Sequence, residues 1–73
     1  METEELENKL SIILGESDSK EKIFDIVKDC LNGEKDTYSM YFWIFSITHD
    51  YKTTDTITWE VIDILDSKKA NKN

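Results

Sequence analysis

Seventy-three residues bound a single domain, and 16 acidic against nine basic side chains set a net charge of −7. Arginine is absent and the lysines are scattered, which excludes the clustered positive charge that direct nucleic-acid binding demands. With one cysteine there is no internal disulfide and no thiolate metal pair, so a core this small supports only ~3–5 kcal/mol of stability.

The opening Met-Glu-Thr-Glu-Glu is acidic and no long apolar region follows it, so it does not read as a signal peptide. The longest apolar run, Met40–Phe45, falls far short of the ~20 residues that cross a bilayer. Cys30 lies in an apolar helical stripe, as a small core residue does, and a reducing compartment suits it. The expectation is a cytoplasmic protein with no membrane contact. Charge is uneven: residues 1–36 hold eleven acids and five bases, residues 37–73 five acids and four bases. The acidic half favours a basic partner.

Residues 4–14 read as an amphipathic helix, with Leu6, Leu10, Ile13 and Leu14 on one face. Thr3 is placed to cap it, Glu5 and Lys9 form an i,i+4 pair, and Gly15 sits where a left-handed C-terminal residue is wanted. A second helix spans about Ser19 to Asn32, opened by an Asp18–Glu21 capping box and closed at Gly33. Its apolar stripe is Ile23, Phe24, Val27, Cys30 and Leu31.

The second half admits two readings. Tyr38–Thr48 and Thr53–Leu65 are rich in aromatic and β-branched residues, which favours strands. On a ribbon, however, both faces of 40–45 would be apolar, and two helices cover only one. Ile57, Val61, Ile64 and Leu65 also separate from Glu60, Asp63 and Ser67 at helical spacing, with Asp55 or Thr56 as cap. The expected fold is therefore all-α, a small four-helix bundle over residues 1–66, followed by a polar tail, 67–73, that frays. The alternative is α+β, with two helices packed on a hairpin of about 38–48 and 56–65.

No catalytic, cofactor or metal signature emerges, and an enzyme is not expected. His49 and Asp50 lack the further ligands that a tetrahedral site needs. The two glycines read as helix stops rather than as a phosphate loop. Two weaker patterns remain. In size, acidity and the closing Thr-Ile-Thr-Trp-Glu-Val-Ile-Asp-Ile-Leu, the chain resembles acyl carrier proteins. That family attaches phosphopantetheine to a serine in an Asp-Ser-Leu type motif, and Tyr38-Ser39-Met40 and Asp18-Ser19-Lys20 each depart from it at one position. The resemblance implies Ser39 as the modified residue. Separately, Glu21, Asp25 and Asp29 recur at i, i+4 and i+8, about 6 Å apart on a helix, close to the spacing of phosphates along a nucleic acid strand. Such a row can act as a nucleic-acid mimic on a basic surface, or simply be a solvated face.

Five of the eight residues from Tyr38 to Phe45 are aromatic. Phased as a helix, Ser39, Ser46 and Asp50 share an arc of about 40°, with Phe42 and Trp43 on either side of it. Such a helix belongs in the middle of a bundle, yet three short neighbours seldom cover its full circumference. Uncovered tyrosine and tryptophan suit a protein interface. The expectation is a small acidic protein-binding module, an inhibitor, immunity or antitoxin-like factor that blocks a basic partner protein. Glu21, Asp25 and Asp29 supply charge, and Tyr38, Tyr41 and Trp43 supply anchors. The alternative is a homodimeric or larger structural subunit.

Overall fold

The structure, a computed structural model, describes residues 2–15 and 18–70, with side chains described from 4 to 15 and from 18 to 68. It contains four helices: α1 (Glu2–Leu14), α2 (Lys20–Leu31), α3 (Thr37–Thr48) and α4 (Tyr51–Ala70). Among the described residues there is no strand, and the hairpin of 38–48 with 56–65 does not form because both segments are helical. Strand propensity is a weak preference, and burying one face at helical spacing outweighs it. In α4 two threonines also donate to backbone carbonyls, Thr54 to Asp50 and Thr56 to Lys52, at 2.8 and 2.9 Å.

α1 and α3 each pack on α2 and α4 and do not meet one another, and the most extensive contact joins α3 to α4. The ring of helices encloses Leu6 and Leu10 of α1, Ile23, Val27 and Cys30 of α2, Met40 and Ile44 of α3, and Ile57 and Val61 of α4. Every element contributes residues three or four apart, which is how a helix turns one stripe inward. Each such aliphatic side chain contributes about 1.5–3 kcal/mol on burial. Ile13, Leu14, Phe24, Leu31, Ile64 and Leu65, predicted on the same stripes, pack against this core partly buried.

The helix ends differ in detail from expectation. α1 opens at Glu2, ahead of Thr3, whose side chain lies outside the described residues. Lys9 reaches across to Glu60 of α4 at 2.8 Å rather than down its own helix to Glu5. The predicted Asp18–Glu21 capping box does not head α2: Ser19 takes the N-cap position, in helical conformation and with no side-chain cap bond. Gly15 and Gly33 close α1 and α2 with φ of 65° and 82°, the left-handed region that a side chain disfavours. α4 begins at Tyr51, ahead of the expected Asp55 or Thr56 cap, because Asp50 opens it. The Asp50 carboxylate accepts from the Lys52 amide at 3.2 Å and from the Thr53 hydroxyl. Residues 67–70, expected in the tail, form the last turn of α4, and 71–73 lie outside the described residues.

Candidate functional site

α3 is capped at its start by a side chain and at its end by the backbone. Asp36 stands before it in extended conformation and accepts from the Ser39 amide at 2.7 Å. That bond keeps the Asp36 carboxyl below its ordinary range. At the other end His49 adopts the left-handed conformation, φ 54°, and donates its amide to the Phe45 carbonyl at 2.7 Å. His49 and Asp50 alone then turn the chain into α4.

Between those caps no residue from Thr37 to Thr48 carries a charge. Only Met40 and Ile44 are fully buried. The four exposed positions are Tyr38, Phe42, Trp43 and Ser46, and the three aromatics among them are 87%, 66% and 51% exposed. The thin polar arc seen in the sequence thus marks the outward side of α3, and Phe42 and Trp43, which flank it, lie open to solvent. α3 is a wall of the bundle and not its centre. Phe42 and Trp43 meet edge to face, with ring centroids 6.3 Å apart.

On its α4 side the aromatic surface deepens into a groove of about 580 Å³, lined by Thr37, Tyr38, Tyr41, Phe42, Phe45, Thr58 and Ile62. The two helices run antiparallel along it. Phe45 stacks on Tyr51 at 4.4 Å, and the Thr48 and Thr54 hydroxyls lie 2.9 Å apart. The neighbouring Asp55 carboxylate, followed by burial, raises the pKa of the Tyr41 phenol. Thr54 and Thr58 are both buried, one turn apart. The Thr54 hydroxyl donates to the Asp50 carbonyl at 2.8 Å, whereas the buried Thr58 Oγ1 has no hydrogen-bond partner.

No protein-family model, no curated protein and no solved structure matches the chain. The reading of the site therefore rests on its own geometry.

The charged candidates lie on α2. Glu21 and Asp25 are exposed and Asp29 is half-buried. Asp29 is held by Lys35 at 3.2 Å, and Asp25 lies 3.8 Å from Lys28, whose ammonium sits over the Phe24 ring at 5.1 Å. Two of the three carboxylates are thus partly neutralised locally. Of the aromatic candidates, Tyr38 and Tyr41 line the groove, while Trp43 falls on the other flank of α3, about 160° around the helix from Tyr41. The sequence marked Phe42 as a flank of the polar arc without naming it an anchor, and it did not mark Phe45 or Ile62 as contacts. Phe42 was within reach of the pattern, four residues after Tyr38. Ile62 was not, since only the packing of α4 brings it there.

Cys30 is buried, and desolvation together with Asp36 raises its thiol pKa, which leaves little thiolate for chemistry. Ser39, the position implied by the carrier-protein resemblance, is half-buried in the first turn of α3. Among the described residues no group of three or more His, Cys, Asp or Glu side chains is placed to hold a metal, and no helix is long and apolar enough to cross a membrane.

Proposed function

We propose that this protein is a small binding module that blocks a basic partner protein, in the manner of an inhibitor, immunity or antitoxin-like factor. The observation that carries this reading is the uncharged, aromatic outer side of α3, where Tyr38, Phe42 and Trp43 are each more than half exposed in a chain of net charge −7. Folding does not require large apolar side chains at those positions, whereas an interface uses tyrosine, tryptophan and their neighbours as anchors. The net negative charge steers a basic protein towards the chain and the aromatics slow its release. Glu21, Asp25 and Asp29 contribute to that steering from α2, and Asp29 contributes least because Lys35 already holds it.

Affinity capture from cells of the source organism tests this. A basic protein is expected to be retained by the wild type, released as salt rises, and lost with the Phe42→Ser, Trp43→Ser double variant. Retention that is indifferent to salt and to those substitutions overturns the reading. Sedimentation at micromolar concentration addresses the rival occupant, a second copy of the chain. A monomer is expected, because each copy carries −7.

A further inference from the structure

The groove between α3 and α4 makes the partner's chemistry more specific, and this step rests on the protein-binding reading above. Its floor is apolar: Tyr38, Tyr41, Phe42 and Phe45 from one wall, Ile62 and the methyl-bearing Thr58 from the other. Its margin is acidic. Asp36 immediately precedes the lining residues Thr37 and Tyr38, and it is exposed. On α4, Asp55 lies three residues before Thr58 and Asp66 four residues after Ile62, so both project near the side of the helix that faces the groove, and both are exposed. No lysine occurs between Asp36 and Tyr51, and Lys35, the nearest before it, is engaged by Asp29. An apolar floor with an acidic margin complements an element with the reverse pattern. From Tyr38 to Phe45 the wall is about 10 Å long, the rise of two helical turns. A helix laid against such a wall presents apolar residues at i, i+3, i+4 and i+7.

We infer that the α3–α4 groove seats a cationic amphipathic helix of the partner, its apolar face against Tyr38, Tyr41, Phe42 and Ile62 and its lysines or arginines facing Asp36, Asp55 and Asp66. The acidic row of α2 then lies outside the contact and acts on encounter rather than in the bound state. An anionic surface is excluded by the same margin. A second copy of the chain would bring Asp36 and Asp55 of two molecules together in a low-dielectric seam, which is unfavourable.

The probe is a helical peptide of about four turns built from leucine and lysine at amphipathic spacing, with a leucine–glutamate counterpart. Binding is read by calorimetry on the full chain. The lysine peptide is expected to bind saturably at one site and the glutamate peptide not at all. The Asp55→Asn, Asp66→Asn double variant is expected to weaken binding about tenfold, and Ile62→Thr to weaken it as well, while Asp25→Asn, which acts on encounter alone, has a smaller effect than either. Circular dichroism confirms that each variant is folded. Equal binding of both peptides, no saturable binding, or greater sensitivity to Asp25 than to Asp55 and Asp66 overturns the inference. So does uptake of the protein onto neutral phosphatidylcholine vesicles in place of the peptide, or a concentration-dependent dimer dissolved by Phe42→Ser. If α3 substitutions abolish capture of a basic partner while the α4 substitutions do not, the groove inference fails and the protein-binding reading stands. If neither set matters to capture, the protein-binding reading itself fails.

Discussion

α2 and α3 are each 12 residues long, lie side by side, and meet solvent in opposite ways. Each has four exposed positions. In α2 these are Glu21, Lys22, Asp25 and Lys28, all charged; in α3 they are Tyr38, Phe42, Trp43 and Ser46, none charged. The burial is also inverted. α2 sinks Ile23, Val27 and Cys30 fully into the core, whereas the far more apolar α3 sinks only Met40 and Ile44. α2 therefore spends its apolar residues on folding. α3 has more than folding uses, and the excess is concentrated on one side and in one groove. A high apolar content does not by itself make a helix central; the number of neighbours available to cover it decides.

The comparison breaks if the outer aromatics of α3 turn out to hold the fold, and thermal or denaturant unfolding measures this. The largest effect is expected inside: Ile44→Ala costs ~2–5 kcal/mol, enough to leave little of a domain this size folded, and Val27→Ala behaves similarly from α2. Next come the two buried threonines that support the α3–α4 contact. Thr54→Val removes a hydroxyl bonded to the Asp50 carbonyl and is expected to cost ~1 kcal/mol, whereas Thr58→Val removes one without a partner and is expected to raise stability by up to ~1 kcal/mol. If both substitutions move stability in the same direction, the hydrogen-bond assignment along α4 is wrong. Smaller still, Phe42→Ser on α3 and Asp25→Ser on α2 are each expected to change stability by no more than ~0.5 kcal/mol. A larger loss for Phe42 would make the aromatic surface structural.

Acid sharpens the contrast in a different way. The Asp36 carboxyl that caps α3 is held below its ordinary range by the Ser39 amide, so the charged form is favoured in the folded state. Its contribution is complete above the ordinary carboxylate range and is lost as pH falls through the lowered folded value. The protection of amides in the first turn of α3, taken relative to intrinsic exchange at each pH, is expected to fall over that descent. The first turn of α2, headed by Ser19, has no titrating cap and is expected to respond less. Equal response of both turns would show that the Asp36 bond does not hold α3.

How far the chain could be read without coordinates follows from the same two helices. α2 was legible because its stripe is clean and its stops are explicit, and the misplacement of its cap by one residue is the scale of error that local pattern allows. α3 was legible in phase, since Ser39, Ser46 and Asp50 pointed to its outward side, but not in depth, because exposure depends on how many elements surround it. The start of α4 was missed since Asp50 reads as the end of an aromatic helix until its carboxylate is seen under Lys52 and Thr53. Tyr38 and Tyr41 could be nominated for the site from composition. Their partners Thr58 and Ile62 could not, because nothing local to those positions announces a groove wall.

Both groove walls come from consecutive helices joined by His49 and Asp50 alone. Contacts at such short sequence separation form early, since little loop entropy opposes them. The α3–α4 surface can therefore be assembled while the N-terminal pair is still seeking its place, and its aim depends on two residues. One residue inserted between His49 and Asp50 would change the angle and register at which α4 meets α3 and carry Ile62 and Asp66 out of line with Tyr38 and Tyr41, without altering a single side chain of the site. The length of that turn thus sets the shape of the groove as firmly as the aromatic residues themselves.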